Sequence, residues 1–121
     1  MARKVARQTD PAAEQEFANG EAYARMEEYE KAVVCYTQAA QAGHGEAECR
    51  LGACYEEGKG VARSDAEAAV HYRRAAWRGV AVAQYRLGLC YAEGRGIGQD
   101  DAAAYEWLRL AAENGLAEAQ H

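Results

Sequence analysis

Proline and serine are almost missing from this 121-residue chain, each occurring once, as Pro11 and Ser64. With proline so scarce and alanine and glycine abundant, the composition suits close-packed helices joined by glycine turns and argues against sheet. A lone serine, with no Ser-x-x-Lys around it, gives serine nucleophilic catalysis nothing to work with, and Ser64 reads as a helix cap. No apolar run approaches the roughly 18 residues of a membrane span, and the N-terminus lacks the apolar stretch of a secretory signal. The chain as given therefore reads as soluble and cytoplasmic; a targeting segment on a longer parent would lie outside it. The four cysteines, Cys35, Cys49, Cys54 and Cys90, form no CxxC pair or other ligand cluster. They read as reduced thiols serving as small apolar packing residues.

Positive charge is also short. The net charge is −5, and Arg3, Lys4 and Arg7 fall in a first stretch of nine residues that contains no acid. Beyond residues 1–9, which read as a basic disordered arm, 11 basic residues face 19 acidic ones, a balance of −8. Phosphate contacts need clustered Lys and Arg, so nucleic acid is not an expected partner.

What the chain has instead is a period. Shifted by 36 residues, Ala47, Leu51, Gly52, Cys54, Tyr55, Gly58, Gly60 and Asp65 fall on Ala83, Leu87, Gly88, Cys90, Tyr91, Gly94, Gly96 and Asp101. A repeat of that length marks a solenoid in which each unit buries its apolar face only against its neighbours. Asp10-Pro11 starts a first helix, since the carboxylate can cap free N–H groups and proline is tolerated at the first helical position. Gly20, Ala32, Tyr36 and Ala39 follow at steps of 12, 4 and 3. Those are the spacings of a tetratricopeptide repeat.

The later repeats insert four residues between their helices and carry A-x-x-x-LG-x-x-Y, G-x-G-[VI], a following Asp and a closing AA-x-x-G. With these elements the chain resembles the Sel-1-like branch of the tetratricopeptide superfamily. The resemblance implies an all-α, right-handed α–α solenoid of three helical hairpins. The units are a tetratricopeptide-like repeat at 10–46, Sel-1-like repeats at 47–82 and 83–118, and the start of a truncated fourth repeat at 119–121. Gly58, Gly60, Gly94 and Gly96 are placed to take positive φ in the loops, Val61 and Ile97 to plug them, and Ser64 and Asp100 to begin the helices that follow.

The resemblance also implies where a ligand would lie. In the superfamily, the first helix of each repeat lines a concave surface. The corresponding residues here are Phe17, Glu21, Ala24 and Arg25; then Cys49, Ala53, Glu56 and Glu57; then Tyr85, Leu89, Ala92 and Glu93. Phe17, Cys49 and Tyr85 would form a column, with His121 next in line. Tyr85 and Leu89, one helical turn apart, make an apolar spot rimmed by charge. The alternative for Phe17 and Tyr85 is packing between adjacent helices. Trp77 stands where the other repeats carry Gln41 and Glu113, so it is either a convex-face contact or a cover for the inter-repeat turn.

Other chemistry finds little footing. GKG and GRG lack the spacing of a phosphate loop. His44, His71 and His121 contain no i,i+4 pair, so neither a metal nor a cofactor is expected. Glu56-Glu57 and Asp100-Asp101 read as solvated helix ends rather than acid/base dyads. The Lys and Asn of a co-chaperone carboxylate clamp are replaced by Phe17, Glu21 and Arg50. The expectation is thus a non-enzymatic protein-interaction module binding a protein or peptide partner, without membrane contact. Glu56, Glu57 and Glu93 would favour a basic partner. The alternative is a structural fragment of a longer repeat array that self-associates weakly through its uncapped C-terminal end.

Overall fold

The computed structural model describes residues 10–115; residues 1–9, the 119–121 segment and His121 lie outside them. The described chain is six helices in antiparallel pairs: α1 Pro11–Arg25, α2 Tyr29–Gln41, α3 Gly45–Glu57, α4 Asp65–Trp77, α5 Ala81–Glu93 and α6 Asp101–Glu113. Each helix packs on its neighbours in sequence, giving the expected all-α solenoid of three hairpins.

The helix starts follow from local chemistry. Asp10 accepts a hydrogen bond from the Ala12 N–H at 3.2 Å with Pro11 in the first turn, Ser64 accepts from Glu67 at 3.1 Å and Asp100 from Ala103 at 3.0 Å. His44, whose role the sequence did not reveal, caps α3: its Nδ1 accepts from the Ala47 N–H at 3.1 Å. Gly58 and Gly94 end α3 and α5 in the left-handed region. The first hairpin instead closes in three residues, with Glu27 at φ +62°.

Small residues set the spacing of the stack. A Cβ added to Gly20 or Gly52 would meet the ring of Tyr36 or Tyr72 at 2.7 Å, and one on Gly88 would meet Leu108 at the same distance. The core forms two seams. One joins Ala32, Tyr36, Ala39 and Ala40 of α2 to Ala47, Leu51 and Cys54 of α3; the other joins Cys49, α4 and α5 through Tyr72, Ala75, Ala83, Leu87 and Cys90. Both seams cross repeat boundaries, so no hairpin holds a complete core by itself. Val61 and Ile97 pack against these seams from the loops.

The second glycine of each G-x-G loop does more than turn the chain. Gly60, at φ +79°, lies where a Cβ would sit 2.5 Å from the Tyr29 carbonyl oxygen at the start of α2. Gly96 presses in the same way on the Asp65 carbonyl at the start of α4. Each loop therefore rests backbone to backbone on the preceding repeat, a contact only glycine permits.

Candidate functional site

Two matching polar units line one side of the stack. Tyr36 donates to Glu21 Oε2 at 2.6 Å, and Arg50, from the next repeat, donates from Nε to the same oxygen at 2.8 Å. Tyr72 donates to Glu56 Oε1 at 2.6 Å, and Arg95, again from the next repeat, donates to Oε2 at 2.7 Å. Burial alone would push both carboxyls up, but these hydrogen bonds outweigh it and hold Glu21 and Glu56 below the usual carboxylate value. The same partnership, added to burial, pushes the Tyr36 and Tyr72 hydroxyls well up. The third repeat loses both members of the unit together: Leu108 stands for the tyrosine and Ala92 for the glutamate. An apolar stretch results on α5, where Tyr85 and Leu89 are half-buried.

The expected groove residues separate into distinct environments. Glu21, Ala53 and Leu89 are half-buried, and Arg25 and Glu93 are exposed. Cys49 does not face a groove: it is 4% exposed and packs in the core seam with Ala83 and Leu87, because α5 closes over it. Phe17 takes the between-helix alternative, stacking on His44 with ring centroids 4.4 Å apart and lying 6.0 Å from Tyr36. Glu56 is no solvated helix end, being tied to Tyr72 and Arg95. Glu57 pairs with Lys59 at 3.4 Å and Glu93 with Arg95 at 3.0 Å. The carboxylates expected to attract a basic partner already hold cations of their own chain.

On the opposite side, between α2 and α4, lies a cleft of about 320 Å³ lined by Thr37, Gln41, Glu48, His71, Arg74 and Arg78, with Ala40 and Leu51 at its floor. Glu48 is 4% exposed yet satisfied, with His71 Nδ1 at 2.6 Å and Arg74 Nη1 at 3.7 Å. Tyr55 stacks on the His71 ring at 5.3 Å. One repeat later the equivalent seam is filled differently. Gln84 replaces Glu48, donating to the Ala76 carbonyl at 3.1 Å and accepting from Asn114 at 2.7 Å. Trp107 replaces His71, and Trp77 packs edge-on against it at 5.3 Å. Trp77 thus covers the second seam while staying 74% exposed. Sequence reasoning passed over Glu48, Gln84 and Arg95, and weighed His71 only as a metal ligand. The available signal was a polar residue, Glu48 and then Gln84, recurring at the 36-residue period on a face otherwise given to Ala, Leu and Cys.

Nothing in the thiols favours catalysis. All four are buried, and burial pushes Cys49 and Cys54 up to about 11. Among the described residues no helix is long and apolar enough to cross a membrane.

The family model of the Sel1 repeat matches residues 17–44, 45–79 and 81–116. No curated protein matches the chain by sequence. Among solved structures, the chain is similar to c5321, a protective antigen of uropathogenic Escherichia coli strains displaying an SLR fold. The two are 36% identical with a TM-score of 0.84, over 89% of this chain and 24% of that one. It is similar to a Sel1 repeat protein from Oxalobacter formigenes at 32% identity and TM-score 0.82, over 86% of this chain and 43% of the other. Cysteine rich protein B of Helicobacter pylori shares the fold, with a TM-score of 0.72 at 24% identity over 74% of this chain and 68% of that one. The chain thus spans less than half the length of the first two.

Proposed function

The chain belongs to the Sel1 repeat family, whose repeats generally mediate protein–protein interaction, and from that premise we propose that it is a non-enzymatic module that docks an extended peptide or partner helix along the face carrying Glu21, Ala53, Glu56 and Leu89. The observation that carries this reading is the loss of the Tyr–Glu–Arg unit in the third repeat. Where Glu21 and Glu56 are each held by a tyrosine of their own repeat and an arginine of the next, Leu89, Ala92 and Tyr85 leave an apolar spot without such a unit. Arg86, exposed beside it, has no ion pair among the described residues. A rim of both signs around an apolar centre is the usual anatomy of a transient interface. Because Glu56 and Glu93 are held by Arg95, a basic partner gains from the net charge of −5 mainly in encounter rate. Contact at Tyr85 and Leu89 supplies the anchoring.

The test is capture of partners from lysate by the wild-type chain, Tyr85→Ala/Leu89→Ala and Trp77→Ala, with bound proteins identified by mass spectrometry. The double variant is expected to lose a protein that Trp77→Ala retains, while each half-buried truncation costs no more than about 2 kcal/mol of stability. Identical profiles for the wild type and the double variant would remove the α5 spot as the anchor.

A second reading has its own support. Tyr105 is 64% exposed, whereas Ala69, its equivalent one repeat earlier, is 3% exposed. That face of α6 would serve a further repeat or a second copy. Mass by light scattering that rises with concentration in the wild type, but not in Tyr105→Glu, would support self-association.

A further inference from the structure

The outer face of α4 carries a group of exposed side chains that the fold engages only at their edges and that the candidate site above does not include. Arg73, Arg74, Trp77 and Arg78 lie at i, i+1, i+4 and i+5, so Arg73 and Trp77 share one row and Arg74 and Arg78 the next. All four are exposed, Trp77 at 74%. Arg73 has no ion pair among the described residues. Arg74 reaches the buried Glu48 only at 3.7 Å, and Arg78 donates only to the Gly43 carbonyl, at 3.3 Å. Across the cleft α2 presents Thr37 and Gln41, and two of the three acids of α6, Glu106 and Glu113, are bound by Arg109 at 2.7 and 2.6 Å. Three arginines around an exposed tryptophan are out of keeping with a chain of net charge −5.

The adjoining cleft gives the patch shape. It is open between α2 and α4, where Arg74 and Arg78 form its wall, while its counterpart one repeat later is covered by Trp77 and Trp107. At the positions corresponding to Arg74 and Arg78, the third repeat has Leu110 and Asn114. The cationic wall therefore belongs to one seam and is not a by-product of the repeat pattern.

We propose that the outer face of α4 is a second docking surface, built for an acidic peptide segment whose carboxylates meet Arg73, Arg74 and Arg78 and whose apolar side chain lies on Trp77. Arg and Trp are the residue types that most often dominate binding energy, and here they are exposed and grouped within a turn and a half of helix. One carboxylate would enter the α2/α4 cleft, where the Thr37 hydroxyl and the Gln41 amide lie beside the two arginines.

The experiment is fluorescence anisotropy at low salt with fluorescein-labelled hexaglutamate, hexaglutamine as the uncharged control, and labelled oligothymidylate as the nucleic-acid arm. The wild-type chain is expected to bind hexaglutamate and not hexaglutamine. Arg73→Gln/Arg74→Gln/Arg78→Gln should weaken binding tenfold or more, and Tyr85→Ala/Leu89→Ala should leave it unchanged, which separates this surface from the concave one. Arg73→Glu is the second variant. Among the described residues Arg73 makes no ion pair and no side-chain hydrogen bond, so its reversal breaks none there, yet it should still weaken binding severalfold. Absence of hexaglutamate binding by the wild type, equal binding by Arg73→Glu, or tighter binding of oligothymidylate than of hexaglutamate would each overturn the proposal.

Discussion

Replacing Gly60 by alanine tests the backbone contact between repeats. Two costs combine at this position. The residue sits at φ +79°, which charges any L side chain about 1–2 kcal/mol. The new methyl would also lie 2.5 Å from the Tyr29 carbonyl oxygen, 2.7 Å from its carbon and 2.9 Å from Val33 Cγ2, each well short of ordinary contact at 3.4 Å. Two of those three neighbours are backbone, so relief requires the loop to lift away from α2, an overpacking cost of about 1–3 kcal/mol. Gly58→Ala is the internal control: it shares the loop and a φ of +70°, but its methyl meets only Arg63, whose Cβ at 3.3 Å is the nearest atom. The loss is therefore expected at about 2–5 kcal/mol for Gly60→Ala and about 1–2 kcal/mol for Gly58→Ala. Urea unfolding followed by far-UV dichroism and tryptophan fluorescence measures both, and each kcal/mol should also lower the melting temperature by roughly 4 °C. Equal losses for the two variants would refute the contact and leave conformational cost as the whole effect.

Acid provides another test. Glu21 and Glu56 are held below their ordinary value of 4.5 in the folded chain. The stability they contribute is complete above pH 4.5 and is lost as pH falls through their lower folded-state values. Glu21→Gln/Glu56→Gln should lose about 1–3 kcal/mol per site at pH 7 and show a flatter decline below pH 4.5 in urea titrations; an unchanged slope would mean that these carboxylates do not report folding. The thiols form a third case. With all four thiols buried and Cys49 and Cys54 pushed up to about 11, labelling by a disulfide reagent at pH 8 should be much slower in the native chain than in urea, and its rate should follow unfolding; native labelling as fast as that in urea would refute the burial of these thiols.

The repeat pattern was legible because it is local. Ser64 and Asp100 before their helices, Gly58 and Gly94 after theirs, and Val61 and Ile97 in the loops each act within a few residues, and the structure uses them in those roles. What escaped was lateral. Glu56 looked solvated because Arg95 is 39 residues away along the chain, a distance no local pattern encodes. Cys49 looked like a groove residue because its number within the repeat matched Phe17 and Tyr85, but the α5 helix that covers it enters only with stacking. The Glu48–His71 pair escaped for the same reason: a polar residue on an apolar face can be judged only once its partner is in view. The environment of the candidate site is decided by the residues each repeat lends to the one before it.

That lending gives the stack a polarity. Gly60 seats the second repeat's loop on the first turn of α2, and Gly96 seats the third repeat's loop on the first turn of α4, while Arg50 and Arg95 reach back to Glu21 and Glu56. Every one of these clasps points toward the N-terminus. Like overlapping roof tiles, each of the first two repeats carries the polar clasp of the one that follows it, so removing Arg95 should loosen the third repeat while leaving the Arg50–Glu21 clasp between the first two intact.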